Sequence, residues 1–158
     1  MATRIRPAEA RDLPALAEFV LALARVNVEL DDRRFVIPDG GARTFLEFFR
    51  GELERPEVVL LIAEDQATPV GYAFVRMEPA SIESLSVPSA WLHDVYVDPA
   101  FRGCGVGRQL VFAAIESAQE LGSASLMLGV SPANTQARQL YERLGMRTTM
   151  IEMRLDFD

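Results

Sequence analysis

The stretch from Ala90 to Leu121 constrains this chain more than any other. Ala90-Trp91-Leu92-His93-Asp94-Val95-Tyr96-Val97 is rich in aromatic and β-branched residues, the composition of a central strand. Pro99 stops it. Gly103, Gly105 and Gly107 follow at alternate positions, and Val106, Leu110, Ala113, Ala114 and Ala118 then recur at helical spacing over Gly105–Leu121, with Gly122 as the C-terminal cap. Glycine permits positive φ and leaves the backbone open to close approach. Successive N–H groups at a helix start converge on one spot, where the helix dipole adds positive potential. Such a turn is a seat for a pyrophosphate, and Arg102 and Arg108 flank it with charge-assisted donors. The bland alternative is a glycine turn without a ligand; the bracketing arginines favour the phosphate.

Several phosphate ligands are excluded by spacing and composition. A dinucleotide fingerprint needs G-x-G-x-x-G, but counting from Gly103 the last position is Arg108, and from Gly105 it is Leu110. NAD is therefore not expected. All sixteen basic residues are arginine, which removes both the Walker-A lysine and a Schiff-base amine. One cysteine and one histidine cannot build a Cys/His metal cluster, so no metal is expected. The net charge of −7 argues against nucleic acid as a partner. No apolar run approaches the ~20 residues of a membrane span, so no membrane association is expected. Met1–Arg6 lacks the apolar stretch of a secretion signal, and a cytoplasmic location is the default expectation.

The rest of the chain reads as one α/β domain over 1–158, with hydrophobic residues at 49% and charged residues at 25%. Thr3–Arg6 reads as a first strand. Asp12 is a plausible helix cap, followed by Leu13, Leu16, Phe19, Val20, Leu23 and Val26 at helical spacing. Asn27–Gly41 reads as a loop whose acids Glu29, Asp31 and Asp32 form a solvated cluster, with attraction of an amine as the sharper alternative. Ala42–Leu53 reads as a helix, and Val58–Glu64 and Val70–Met77 as a hairpin around Gln66–Pro69. Glu78–Ser89 reads as a loop, Ser125–Val130 as a buried strand, Asn134–Leu144 as a helix closed by Gly145, and Thr148–Leu155 as an alternating final strand. The order is β-α-α-β-β-β-α-β-α-β, a mixed sheet flanked by helices.

At the glycine turn the chain resembles the GNAT superfamily of acyl-CoA-dependent N-acetyltransferases. Their coenzyme loop, Arg/Gln-x-x-Gly-x-Gly/Ala, matches Arg102-Gly103-Cys104-Gly105-Val106-Gly107. Their downstream pattern matches Asn134-x-x-Ala137-x-x-Leu140-Tyr141, then Gly145-Met146 where the family usually has Gly-Phe. Specific motifs cover roughly Trp91 to Met146. Leu92-His93-Asp94 followed by Arg102-Gly103 is similar to the diamine and polyamine acetyltransferase branch, with His93 where that branch carries Glu.

The resemblance implies a mixed, mostly antiparallel sheet and an enzyme that moves an acetyl group from acetyl-CoA to a primary amine of a small molecule. The transfer is direct, within a ternary complex. It implies that Val95, Tyr96 and Val97 pair with the pantetheine arm, that the amides of Gly103, Cys104, Gly105, Val106, Gly107 and Arg108, with Arg102, hold the diphosphate, and that Asn134 contacts the pantetheine. Asn134 also has the plain reading of a helix cap. Tyr141 is the candidate general acid, since a phenol of pKa ~10 suits protonation of a departing thiolate; its plain reading is core packing. His93 is the candidate base, with a half-buried strand histidine and a water chain as alternatives. Strand alternation sends Asp94 to the opposite side from His93 unless a bulge re-aims it. Cys104 has no base near it in sequence and is not expected to be a nucleophile. Many members of the family are dimers, which makes a homodimer a candidate assembly. A peptide or protein N-acetyltransferase and a catalytically silent acyl-CoA-binding domain are the competing readings.

Overall fold

The computed structural model describes residues 3–157. Its elements are β1 (Arg4–Pro7), α1 (Leu13–Leu30), α2 (Ala42–Glu52), β2 (Val58–Asp65), β3 (Thr68–Glu78), β4 (Ser89–Val97), α3 (Val106–Glu120), β5 (Leu126–Met127) and α4 (Thr135–Arg143). The five strands form one sheet in the order β1-β2-β3-β4-β5, antiparallel up to β4, with β5 parallel to β4. This is the mixed α/β sheet expected from the element order.

The sheet is apolar on both faces because a helical layer covers each. One cluster joins Leu61, Ala73, Val75, Ala90 and Leu92 to Leu110, Val111 and Ala114 of α3. The other joins Leu60, Ile62, Tyr72, Phe74 and Tyr96 to Leu16, Val20 and Phe49 of α1 and α2. Strands β2 and β3 therefore read as near-continuous apolar runs rather than as alternations. Between β3 and β4 the packing is tight enough that a Cβ on Gly71 would stand 2.6 Å from the Tyr96 carbonyl oxygen, so only glycine fits there.

Two boundaries moved from expectation. Helix α1 runs on to Leu30, absorbing the first part of the expected loop, and packs against α2. The expected strand Ser125–Val130 shrinks to Leu126–Met127, since β5 leaves β4 after the Trp91–Met127 pair.

The expected final strand Thr148–Leu155 does not form; the segment has no ladder partner, and Met150, Ile151, Met153, Leu155 and Phe157 are exposed. The edge it would need, β5, is only two residues long. The segment's more apolar face, Ile151, Met153 and Leu155, is thereby left without a strand to lie beside. Ion pairs Arg34–Glu152 at 2.6 Å and Arg33–Asp156 at 3.4 Å tie the segment to the loop after α1 instead.

Candidate active site

The glycine turn begins where Asp98 caps a single 3-10 turn, Pro99–Phe101, by accepting the Ala100 N–H at 2.8 Å. Gly103 and Gly105 have φ of 79° and 84°, and a Cβ on either would meet nothing within 4 Å. Glycine is required here by the left-handed backbone, while the space above it is open. The N–H groups of Gly103 through Arg108 have no backbone acceptor among the described residues; the first helical bond of α3 is donated by Gln109 to the Gly105 carbonyl at 3.1 Å. Six consecutive amides thus face an open turn at a helix N-terminus.

Two arginines are held beside this turn. Arg102 donates from Nε to the Val97 carbonyl at 3.0 Å, with its guanidinium 5.8 Å from the Tyr96 ring centroid. Arg108 lies 5.3 Å over the Phe112 ring. Cys104 is exposed, and its thiol touches only the Arg102 carbonyl, at 3.8 Å, so no base activates it.

Strand β4 leads into the turn with one edge unpaired. Along one side it pairs with β3 over its whole length, but along the other it meets β5 only at Ala90 and Trp91. From Leu92 to Val97 the β5-side edge has no strand partner, which leaves room for an extended ligand to pair there as an added strand. The Val97 carbonyl is already engaged by Arg102.

A bulge decides what β4 presents to the other face. Phe74 pairs with Asp94 and Val75 with Leu92, so His93 is the extra residue. Alternation is suspended for one step: Leu92 and Val95 join the α3-side core, while His93 and Asp94 both line a cleft on the α1–α2 side. The expectation that Asp94 points away from His93 is therefore corrected.

His93 is fixed from two directions. Its ring stacks on Phe74 with centroids 5.0 Å apart, and Nε2 lies 2.8 Å from Glu78 Oε1. Glu78 also accepts Arg76 Nε at 2.6 Å, and Arg76 reaches buried Glu52 at the end of α2 at 3.1 Å. Burial by itself raises the Glu78 carboxyl, but hydrogen bonds from Arg76 and His93 outweigh it and hold it below its ordinary value. Glu78 thus remains an anion that orients the imidazole, the arrangement of a base backed by a carboxylate.

Asp94 stands close to the Tyr72 hydroxyl, which is fully buried and lacks a well-formed hydrogen bond. Burial raises the Asp94 carboxyl, with the Tyr72 hydroxyl and His93 pulling the other way. Burial, and then the Asp94 charge, push the Tyr72 phenol well up.

Tyr141 lies on the other side of the sheet, half-buried against the α3-side core. Burial raises its phenol above the ordinary value, so it is protonated throughout the neutral range. Asn134 caps α4 by accepting the Ala137 N–H through Oδ1 at 3.2 Å, which leaves its NH₂ free. The structure therefore brings Arg102–Arg108 together with the end of β4, and His93 together with Asp94, while Tyr141 and His93 approach from opposite faces.

Sequence reasoning missed Glu78, Tyr72 and the aromatic cleft. Glu78 falls in what reads as a loop, and Tyr72 reads as core. Only a cross-strand register links them to His93 and Asp94, and the bulge that sets it carries no signature in one sequence. Glu29, Asp31 and Asp32 are exposed and none lines the cleft; Asp31 accepts the N–H groups of Arg33 and Arg34, a turn-capping role.

Residues 24–146 match the family model described as acetyltransferase (GNAT) family. An uncharacterised N-acetyltransferase of Methanocaldococcus jannaschii is 35% identical over 62% of this chain and 43% of its own length. A mycothiol acetyltransferase of Thermobispora bispora is 35% identical over 58% of this chain and 31% of its own length. The chain thus spans less than half the length of these two relatives. Among solved structures, a Bacillus halodurans protein superposes with a TM-score of 0.84 at 20% identity, covering 98% of this chain and 99% of that one, which supports the fold.

Proposed function

The chain belongs to the acetyltransferase (GNAT) family, and from that premise we propose that it transfers the acetyl group of acetyl-CoA to the primary amine of a small molecule. The observation that carries this reading is the run of free amides from Gly103 to Arg108 placed at the end of a strand whose edge is unpaired. A diphosphate suits the first feature, and an extended amide-bearing arm suits the second. The cradle residues would be Gly103, Cys104, Gly105, Val106, Gly107 and Arg108 through their backbones and Arg102 and Arg108 through their side chains. Val95 and Tyr96 would pair with the arm through backbone groups, and the Asn134 NH₂ would contact it. Acetyl-CoA supplies an activated acyl thioester.

The residues of the chain then handle protons. An ammonium must lose one proton before its nitrogen can attack; His93, held by Glu78, takes it and passes it to solvent. As the C–N bond forms and the C–S bond breaks, the sulfur gains a proton from the Tyr141 hydroxyl, and the second proton shed by the nitrogen returns to the Tyr141 oxygen through solvent, restoring the acid. Net, an ammonium and a thioester give an amide, a thiol and one released proton. The leaving thiolate is less basic than its partner phenol by only a small margin, which suits general-acid assistance.

Within the family the Leu92-His93-Asp94 pattern is nearest to the diamine and polyamine branch, with His93 in place of the usual Glu; this is a likeness of motif and assigns no acceptor. A homodimer belongs to the same proposal, supported by the exposed apolar segment Met150–Phe157. So does a cytoplasmic location, supported by the exposed free thiol of Cys104; no helix of the described residues is long and apolar enough to cross a membrane.

The test is coenzyme A release over a panel of amines, run beside calorimetry of acetyl-CoA binding to the chain and to Gly105→Val. A β-branched residue at a φ of 84° displaces the turn, so affinity is expected to fall by about a hundred-fold. Undiminished binding would remove the cradle from the proposal. Binding without release from any amine or peptide would favour the silent acyl-CoA-binding reading, and release from peptides alone the protein-acetylating one.

A further inference from the structure

We propose that the cleft between α1, α2 and β4 receives a monoamine with an apolar body, its ammonium on Asp94 and its hydrocarbon or aryl part among Leu23, Phe45, Phe48 and Phe74. This deepens the acetyl-transfer reading and rests on it for the chemistry, though not for the binding.

The cleft measures about 460 Å³, within the range of small-molecule sites. Its walls come from α1, the loop after it and α2, and its floor from Phe74, His93 and Asp94. Asp94 is the one carboxylate among the lining residues, and the bulge at His93 aims it there. Beside it lies the buried Tyr72 hydroxyl, which lacks a well-formed hydrogen bond. A polar group arriving next to Asp94 would meet both a charge partner and a hydroxyl oxygen with hydrogen-bonding capacity to spare.

Away from Asp94 nothing is shaped for a second cation. The remaining lining is aliphatic or aromatic apart from Asn27, Thr44 and His93. Two guanidiniums already occupy aromatic faces of the cleft residues: Arg76 stands 5.7 Å over Phe74 and Arg34 stands 5.4 Å over Phe35. Both are already paired with carboxylates, and they use the π-faces that would otherwise hold a further ammonium. The acids after α1 point to solvent instead of into the cleft. Val36 and Phe48 extend the apolar lining to the mouth, being 80% and 45% exposed. The physical content of this site is one anion at the bottom of an oily slot. Diamines and polyamines would leave their second ammonium desolvated and unpaired.

Calorimetry of the full chain with phenethylamine, hexylamine and hexamethylenediamine separates the cases, because binding is read without turnover. The two monoamines are expected to bind at least about ten-fold tighter than the diamine. Asp94→Asn should weaken phenethylamine by about ten-fold or more by removing the charge-assisted pair. Ala24→Phe, which fills the cleft from α1 without altering Asp94, should do the same. Equal or tighter binding of the diamine overturns the inference, as does unchanged phenethylamine affinity in both variants. Coenzyme A release is scored separately: monoamine binding without release would count against acetyl transfer and leave the cleft assignment standing, whereas release from diamines with no monoamine preference would do the reverse.

Discussion

At the residue scale, the sharpest contrast is between the two tyrosines that burial acts upon. Tyr141 and Tyr72 are both pushed above the ordinary phenol value, yet they face opposite sides of the sheet and are suited to different work. Tyr141 keeps its proton at neutral pH, and in the proposed reaction it would give that proton to sulfur. Tyr141→Phe is expected to lower kcat by about a hundred-fold or more while changing acetyl-CoA affinity little. An unchanged turnover in that variant would end its role as the acid.

A second residue-scale prediction concerns stability. Arg6, 9% exposed, donates to both oxygens of Asp12 at 2.7 and 2.9 Å and to Glu64 at 2.7 Å. The Arg6 hydrogen bonds hold the Asp12 carboxyl below its ordinary value, against the opposing effect of burial. Because the folded-state pKa is depressed, this stabilisation is present above the ordinary carboxylate value. It is lost as pH falls through the lowered one. Asp12→Ala leaves Arg6 buried with a single carboxylate and is expected to cost about 3 kcal/mol in urea denaturation at neutral pH. The difference from the parent chain should narrow on acidification.

At the scale of elements, the hairpin and the β3–β4 seam carry opposite lessons about glycine. The β2–β3 turn places Gln66 and Ala67 at φ of 49° and 67°, the twist that a two-residue hairpin demands. Asn-Gly would be the natural choice; here two side-chain-bearing residues occupy the left-handed region. Ala67→Gly is expected to raise stability by about 0.5–1 kcal/mol, read as a higher denaturation midpoint with unchanged slope. In contrast, a methyl at Gly71 collides with the backbone of Tyr96. Gly71→Ala should therefore weaken acetyl-CoA binding as well as stability, because the strand displaced is the one leading into the glycine turn. If it lost stability alone, the coupling between the seam and the turn would be absent.

For the molecule as a whole, the segment after α4 is the outstanding feature. Five large apolar side chains between Met150 and Phe157 are each more than 75% exposed, a patch unusual for an isolated chain. The outer edge of β5 is open, and strand-forming residues without a partner in their own chain invite one from another. Sedimentation is expected to show a dimer, and Ile151→Lys combined with Met153→Lys should shift it to a monomer. A monomeric parent chain would rule out this assembly.

The element order was legible from apolar periodicity and turn residues, and so was the glycine turn. Alternate glycines, a stopping proline and flanking arginines are local facts, and the free amides of Gly103–Arg108 follow from where a helix starts. Asn134 as a cap and Gly145 as a terminator were legible for the same reason. What stayed hidden depends on contacts between residues far apart in sequence. The bulge at His93, the Glu78 partner and the approach of the Tyr72 hydroxyl to Asp94 exist only once β3 and β4 are in register. The same holds for the final strand, whose alternation promised a ladder that no long enough edge was there to accept.

Sequence alone determined the local devices of this protein: most of its helices and strands, and an open glycine turn at a helix start, because backbone dihedral preference and capping act over a few residues. Only the tertiary structure decided which side chains share a cleft and how many charges that cleft can neutralise. Strand register, bulges and helix docking are set by packing across the whole chain.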